Sequence, residues 1–291
     1  RPPMIQSMTG FAVQTRDLGS VSLHLELRSV NSRYLDLGFR IVDDLRQAEP
    51  AIRERISARL GRGKVECRLN LQAGHAAPRS LALNGTLADQ LAEAQATLRA
   101  RFPDAAPLSV NELLRWPGML ADDSLGFDEL LPHIRALADA ALDELVATRQ
   151  REGEKLADAI RERVARMREL VATASPRMPA IVAEYQDRLT AKLRDAVASL
   201  DEDRIRQEVA LYAQRIDVAE ELTRLSTHLD EVERILKAPG AAGKRLDFLM
   251  QELNREANTL ASKSPATDIT GIAMEMKVLI EQMREQVQNI E

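Results

Sequence analysis

The chain has 291 residues, of which 45% are hydrophobic and 29% charged. It therefore has enough apolar side chains for one large core or two modest ones, and it is too apolar for a disordered chain. It contains no run of 18 or more apolar residues and no apolar signal core near its start, so we expect a cytoplasmic protein with no membrane partner. The single cysteine, Cys67, excludes an internal disulfide and is predicted to be a small buried side chain in a strand.

Charge is distributed unevenly along the chain. The net charge is −5, yet residues 1–75 contain 12 Lys and Arg against 8 Asp and Glu, and the remainder contains 28 against 37. Guanidinium groups of this basic segment could hold a phosphate backbone without distinguishing bases. Ordinary solvated charge on a helix and strand explains the same residues nearly as well.

The first 75 residues are predicted to form a small, β-rich α+β domain. Val21 to Val30 alternates apolar and polar side chains, as a half-buried strand does, and a turn over residues 17–20 separates it from an earlier strand. The predicted elements are strands at 5–15, 21–30, 34–41 and 64–71 and a helix at 43–60. Strands that enclose a helix in this order are typical of an α+β unit.

The rest of the chain is predicted to be mostly α-helical. A linker at 74–84 leads to a central helical region, 76–202, and a C-terminal helical domain, 203–291. The predicted helices cover residues 86–101, 109–115, 126–174, 180–200, 203–237, 244–262 and 268–289. The helix at 126–174 is too long to stand alone, so we expect it to kink near Gly153 or to pack against another subunit.

No phosphate-binding loop, dinucleotide-binding turn, zinc-protease helix or nucleophile elbow is present, so the chemistry must lie elsewhere. Two polar stripes flank apolar seams in the last 90 residues. Glu221, Arg224 and His228 follow one seam, and Glu252 and Glu256 lie one turn apart beside the next. Carboxylates in that spacing suit Mg²⁺ or Mn²⁺, although acidic pairs on a helix are more often solvated or paired with Lys and Arg.

Several blocks resemble those of one known family, the YicC/YloC endoribonucleases. The matching blocks are Ser7–Phe11, Glu26–Asp36, Arg62–Glu66, Arg115–Gly118, Arg151–Gly153, Leu246–Thr259, Ser262–Ser264 and Gln286–Glu291. Thr223, Arg224, Leu225 and His228 match a further family segment. Blocks of this length in this order are more specific than any single short motif. The central helices, 126–200, match only weakly.

The resemblance implies an endoribonuclease that cleaves phosphodiester bonds of single-stranded RNA and depends on a divalent cation, Mn²⁺ or Mg²⁺. It also implies a homo-oligomeric ring, which we expect to be a hexamer. Together with the stripes, it gives catalytic roles to Glu252, Glu256 and His228, and metal-binding roles to these three and Glu221. The residues predicted to bind RNA are Arg28, Asn31, Arg33, Arg62, Lys64, Arg224, Asn254, Arg255 and Lys263. Of these, Arg28, Asn31 and Arg33 could instead serve a subunit interface.

Two other functions are compatible with the sequence. In a noncatalytic RNA-binding or adaptor oligomer, the acidic stripes would be salt bridges between packed helices, and RNA would bind without being cut. In a purely structural helical scaffold, neither RNA nor metal would matter.

Overall fold

The computed structural model describes residues 5–73, 82–120, 125–196, 201–238 and 240–291. Its N-terminal part is a four-stranded sheet of β1 (Gly10–Asp17), β2 (Val21–Val30), β3 (Leu35–Ile41) and β4 (Gly63–Ala73). The strand order is β1-β2-β4-β3, with β3 parallel to β4 and the other neighbours antiparallel. The predicted hairpin and α+β layout are confirmed, although the first strand begins at Gly10 rather than Ile5.

One face of this sheet is buried. The alternation of β2 places Leu23, Leu25 and Leu27 in the core, and Leu27 lies opposite Cys67 of β4, which is fully buried as predicted. A 3₁₀ turn (Asp43–Ala48) and helix α1 (Glu49–Arg59) connect β3 to β4 and pack on the same face. The other face of the sheet is not covered by these elements.

The next helices are α2 (Gly85–Arg101) and α3 (Val110–Arg115), which begin at Asn84 and Ser109 caps whose side chains accept backbone N–H groups. Both helices confirm the predicted segments within one residue. The predicted linker falls mainly on residues 74–81, which lie outside the described residues, as does the predicted domain boundary at 75/76.

Helix α4 (Phe127–Ala174) joins two hydrophobic cores. It runs for 48 residues, about 70 Å, without a break. Its first half, from Leu130 to Leu145, packs on the sheet, and its second half, from Leu156 to Ala174, packs in a helical core. The helix continues through Gly153, and both of its halves have partners within this chain. The expected kink near Gly153, or contact with another subunit, stays a prediction.

The second core belongs to a bundle formed by α4 with α7 (Ala219–Lys237), α8 (Gly243–Lys263) and α9 (Thr267–Val287). Two further helices follow α4 in the chain and precede α7: α5 (Met178–Ala196) and α6 (Glu202–Ile216). These two helices pack on each other. No helix of the described residues is both long and apolar enough to span a membrane.

One predicted helix, 203–237, is wrong as a single element. The structure divides it into α6 and α7, because Asp217 has an extended backbone (φ −70°, ψ 124°) and its Oδ1 accepts a hydrogen bond from the Ala219 N–H at 2.9 Å. An aspartate that bonds the backbone two residues ahead replaces the helical hydrogen bond and starts a new helix.

The two ends of the described chain meet between the cores. The Ser7 N–H donates to the Arg149 carbonyl at 2.9 Å, and the Glu291 N–H donates to the Gln6 carbonyl at 2.9 Å. The fully buried Arg149 side chain donates to the Ser7 carbonyl and to the Glu291 carboxylate, both at 2.6 Å. Residues 5–8 and 289–291 therefore close the junction beside the middle of α4.

Candidate metal centre

Helices α7 and α8 pack antiparallel through their apolar seams. Leu225 and Leu229 of α7 and Leu253 of α8 are fully buried between them. The direction follows from three ion pairs across the helices, which join Glu221 to Lys263, Arg224 to Glu256 and Glu231 to Arg245. The polar stripes beside the seams thus face each other along one groove.

Three side chains of this groove converge. One ligand atom each from His228, Glu252 and Glu256 lies within 4.8 Å of the others. Because these donor atoms lie so near one another, the three side chains could together hold one divalent cation. Glu252 and Glu256 are adjacent on α8 because residues four apart share a helix face.

The chemistry of these donors fits a divalent cation. Glu256 is 4% exposed, and its cationic neighbour Arg224 stands 3.8 Å away (Nη1 to Oε1), beyond hydrogen-bond distance. A buried carboxylate is unfavourable when its neighbouring cation is too far away to form a hydrogen bond. A divalent cation bound between Glu252 and Glu256 would supply the positive charge that balances it. His228 and Glu252 are partly exposed, so a substrate can approach from solvent.

Glu221, the fourth predicted ligand, lies outside the three-residue cluster. It is seven residues before His228, about 10 Å along the helix axis. Its Oε1 accepts a hydrogen bond from Lys263 Nζ at 2.6 Å, and its Oε2 is buried without a hydrogen-bond partner among the described residues. The structure therefore pairs a predicted metal ligand with a predicted RNA-binding lysine, and the role of Glu221 as a ligand stays a prediction.

The other predicted RNA-binding residues of the bundle lie at the surface of the same two helices. Arg224 is exposed and pairs with Glu220 as well as Glu256. Asn254 and Arg255 are exposed on α8, and neither side chain makes an ion pair or hydrogen bond within the described ranges. Arg255 is thus unpaired within the described residues, and it points about 100° away from Glu256 around the helix axis.

The N-terminal residues predicted to bind RNA form a separate group around the sheet. Arg28 and Lys64 are exposed on the open face of the sheet, and Arg62 Nε donates to the Arg33 carbonyl at 3.1 Å. Asn31 Nδ2 donates to the Gln288 carbonyl at 2.6 Å, so this side chain joins the sheet domain to the C-terminal segment. The structure does not bring these five residues into the α7–α8 cluster.

Sequence reasoning assigned no role to two exposed aromatic residues beside these cations. Phe11 is 46% exposed with the Arg28 guanidinium 5.9 Å from its ring centre, and Tyr34 is 67% exposed with Arg33 at 5.3 Å. The signal was present in the strand alternation, which places Phe11 on the face opposite the buried Ala12.

The fold and groove define a class of protein: an α+β domain tied by one long helix to a helical bundle that carries a carboxylate and imidazole cluster suited to a hard cation. Residues 5–158 match the family described as "Endoribonuclease YicC-like, N-terminal region", and residues 174–291 match "Endoribonuclease YicC-like, C-terminal". The chain belongs to the YicC-like endoribonuclease family, which confirms the resemblance.

Curated relatives cover the whole chain. A protein of Haemophilus influenzae named "Probable endoribonuclease YicC" is 43% identical over 290 residues, which is 99% of this chain and 100% of the relative. A protein of Clostridioides difficile with the same name is 28% identical over 293 residues, again 99% of this chain and 100% of the relative. The match therefore includes both the sheet domain and the α7–α8 groove.

Proposed function

We propose that this protein is an endoribonuclease that hydrolyses phosphodiester bonds of single-stranded RNA in the α7–α8 groove, with Mn²⁺ or Mg²⁺ bound by His228, Glu252 and Glu256. The observation that carries the proposal is the convergence of these three donor groups within 4.8 Å in a chain of the YicC-like family. Endoribonuclease activity is taken from the family and from the names of its relatives.

Each residue has a definite task in this proposal. Glu252 and Glu256 hold the cation and supply the negative charge that it requires. The cation that they would hold would supply Lewis-acid chemistry, which activates water and offsets charge on the attacked phosphate. His228 completes the site as a ligand or as a proton carrier. Arg224, which pairs with Glu220 and Glu256, is the residue that we expect to contact a phosphate oxygen.

The proposed assembly is a homo-oligomeric ring, with six subunits as the family resemblance implies. Large apolar side chains on the α2–α3 segment support an association between chains, because Phe102 is 61% exposed and Val110 is 72% exposed. A stable monomer at micromolar concentration, measured by mass photometry or analytical ultracentrifugation, would contradict this part of the proposal.

The decisive experiment combines cleavage and metal binding. Labelled single-stranded RNA is incubated with the wild-type protein and with Glu252→Gln, in Mn²⁺, in Mg²⁺ and in chelator. Glu285→Gln is the matched control, because Glu285 is an exposed glutamate of α9 with no ion pair among the described residues. We expect Glu252→Gln to lower the cleavage rate at least about 100-fold while Glu285→Gln cleaves normally.

Binding of Mn²⁺, measured by calorimetry without RNA, gives an independent readout of the same site. We expect Glu252→Gln to weaken Mn²⁺ binding and to leave assembly and RNA affinity nearly unchanged. Normal cleavage by Glu252→Gln would remove this residue from the site, and cleavage that continues in chelator would exclude the cation.

A noncatalytic RNA-binding adaptor is the second candidate. The observation that favours it is the ion pair of the buried Glu221 with the partly exposed Lys263, since salt bridges between α7 and α8 are what this alternative predicts. RNA that binds wild-type protein but stays uncut in both metals would support the adaptor.

A further inference from the structure

We propose that the open face of the four-stranded sheet is a single-stranded RNA platform, on which Phe11 and Tyr34 stack bases while Arg28 and Lys64 contact phosphates. This inference rests on the proposed function, and it adds a binding site that is separate from the cleavage groove. In this proposal the exposed rings of Phe11 and Tyr34, which are not part of the core, contact RNA bases.

The register of the sheet defines the platform. Phe11 of β1 lies opposite Arg28 of β2, which lies opposite Glu66 of β4 and then Gly38 of β3. These four residues lie on the open face of the sheet, because the residues next to them in each strand face the core and successive residues of a strand alternate between faces. Adjacent strands lie about 4.8 Å apart, so this row is about 14 Å wide.

The neighbouring row adds further features. Val30 lies opposite Lys64, which lies opposite Asp36, and Val30 is 44% exposed. Tyr34 immediately precedes β3, outside the strand, and its side chain is 67% exposed. An exposed aromatic residue thus stands at each end of a surface that also contains an open glycine, since a side chain at Gly38 would meet nothing within 4 Å.

This face carries both signs of charge, with Glu26, Asp36 and Glu66 among its carboxylates, and two of its cations can contact an anionic occupant. Glu66 is already neutralised by Arg40 at 2.7 Å and by Arg68 at 3.6 Å. Within the described residues Arg28 and Lys64 make no ion pair, so both positive charges remain available to a ligand. Cations interleaved with exposed aromatic rings on an open sheet are the arrangement that binds single-stranded nucleic acid, with room for two or three stacked bases.

The contact of Arg28 with Phe11 is part of this arrangement. At 5.9 Å from the ring centre, the guanidinium lies close enough to reach a phosphate attached to a base stacked on Phe11. The Arg33 and Tyr34 pair repeats the same combination at the other end of the platform. Binding here would track the backbone and stack bases without requiring a particular sequence.

The test measures RNA affinity directly. A fluorescein-labelled single-stranded RNA of 12 nucleotides is titrated with full-length protein in chelator, and anisotropy is recorded at several salt concentrations. Phe11→Ala, Tyr34→Ala and Arg28→Gln are compared with Tyr212→Ala, which removes an exposed aromatic ring of α6 that also has an arginine, Arg215, beside it. Circular dichroism checks that each variant is folded.

We expect Phe11→Ala and Tyr34→Ala each to raise Kd about 5- to 100-fold, the effect of losing one base stack. Arg28→Gln should weaken binding and reduce the slope of log K against log salt by about 0.7, the value for one phosphate contact with a single strand. Tyr212→Ala should bind as the wild-type protein does.

Wild-type affinity in folded Phe11→Ala and Tyr34→Ala would overturn the platform. A loss of oligomer mass in these variants without a change in RNA affinity would also overturn it, because the face would then be a contact between subunits. If the platform fails while wild-type protein still cleaves RNA, the proposed function stands. If wild-type protein neither binds nor cleaves RNA, both proposals fall.

Discussion

Replacing Gly153 with alanine tests how tightly the junction between the two cores is packed. A Cβ at this position of α4 would lie 2.1 Å from the Ile5 carbonyl oxygen and 2.8 Å from the Gln6 Cα. An ordinary contact requires more than 3 Å, so residues 5 and 6 must move by about 1 Å. They are not free to do so, since the Ser7 and Glu291 N–H groups hold this segment by hydrogen bonds of 2.9 Å.

The expected change in the free energy of unfolding follows from opposing effects. Alanine favours the helix by about 1 kcal/mol over glycine. Overpacking destabilises by about 1–3 kcal/mol, and each buried hydrogen bond that is stretched loses about 1 kcal/mol. With one or two such bonds affected, we expect Gly153→Ala to be less stable by about 1–4 kcal/mol.

Gly271→Ala is the matched control for this prediction. Gly271 also lies within a helix, α9, and a Cβ there would meet nothing within 4 Å. The free energy of unfolding of this variant should rise by about 0.5–1 kcal/mol, because alanine favours the helix over glycine and its Cβ clashes with nothing here. Urea denaturation followed by circular dichroism gives both free energies. A Gly153→Ala protein as stable as Gly271→Ala would refute the close packing at the junction.

Two further predictions concern buried polar groups. Arg149→Met removes the guanidinium that donates hydrogen bonds to Ser7 and Glu291. We expect it to lower the free energy of unfolding by about 2–4 kcal/mol in the same urea assay. A change below about 0.5 kcal/mol would contradict a role of Arg149 in closing the junction. Burial raises the pKa of the Cys67 thiol to about 12 from an ordinary 9.0. Its thiolate fraction at pH 8 is therefore about 1000-fold lower than in the unfolded chain, and we expect a thiol reagent to label Cys67 only after unfolding. Because the folded pKa is the higher one, this thiol's contribution to stability is present below pH 9 and is lost as pH rises from about 9 to about 12, and Cys67→Ala should reduce that loss.

Local periodicity predicted most of the fold because strands and helices are defined by repeats of two and 3.6 residues. The β2 alternation from Leu23 to Leu27 gave the buried face directly, and the helix limits followed from apolar spacing and proline positions. The break at Asp217 was missed because Val218 continues the apolar seam of the following helix. A single side-chain hydrogen bond to Ala219, which leaves no trace in hydrophobic spacing, divides the two helices there.

The candidate site was predictable only in part, for a similar reason. Spacing of four residues places Glu252 and Glu256 on one face of α8, and the flanking stripe places His228 beside the seam of α7. Their convergence depends on how far the antiparallel helices are shifted along each other, which neither helix's own pattern contains. The same shift brings Lys263 to Glu221, so the pairing of these two predicted functional residues could not be foreseen.

The junction explains how two surfaces on different cores could act on one RNA. If a flexible linker joined the sheet to the bundle, the distance between the platform and the groove would vary, and RNA bound at one would reach the other only with some effective concentration. Instead α4 passes through both cores without a break, residues 5–8 and 289–291 close the space beside it, and Asn31 bonds the C-terminal segment from the sheet side. A strand of RNA held on the sheet would therefore meet the groove at a constant separation. It follows that changes at the junction, which touch neither surface, should uncouple RNA binding from cleavage.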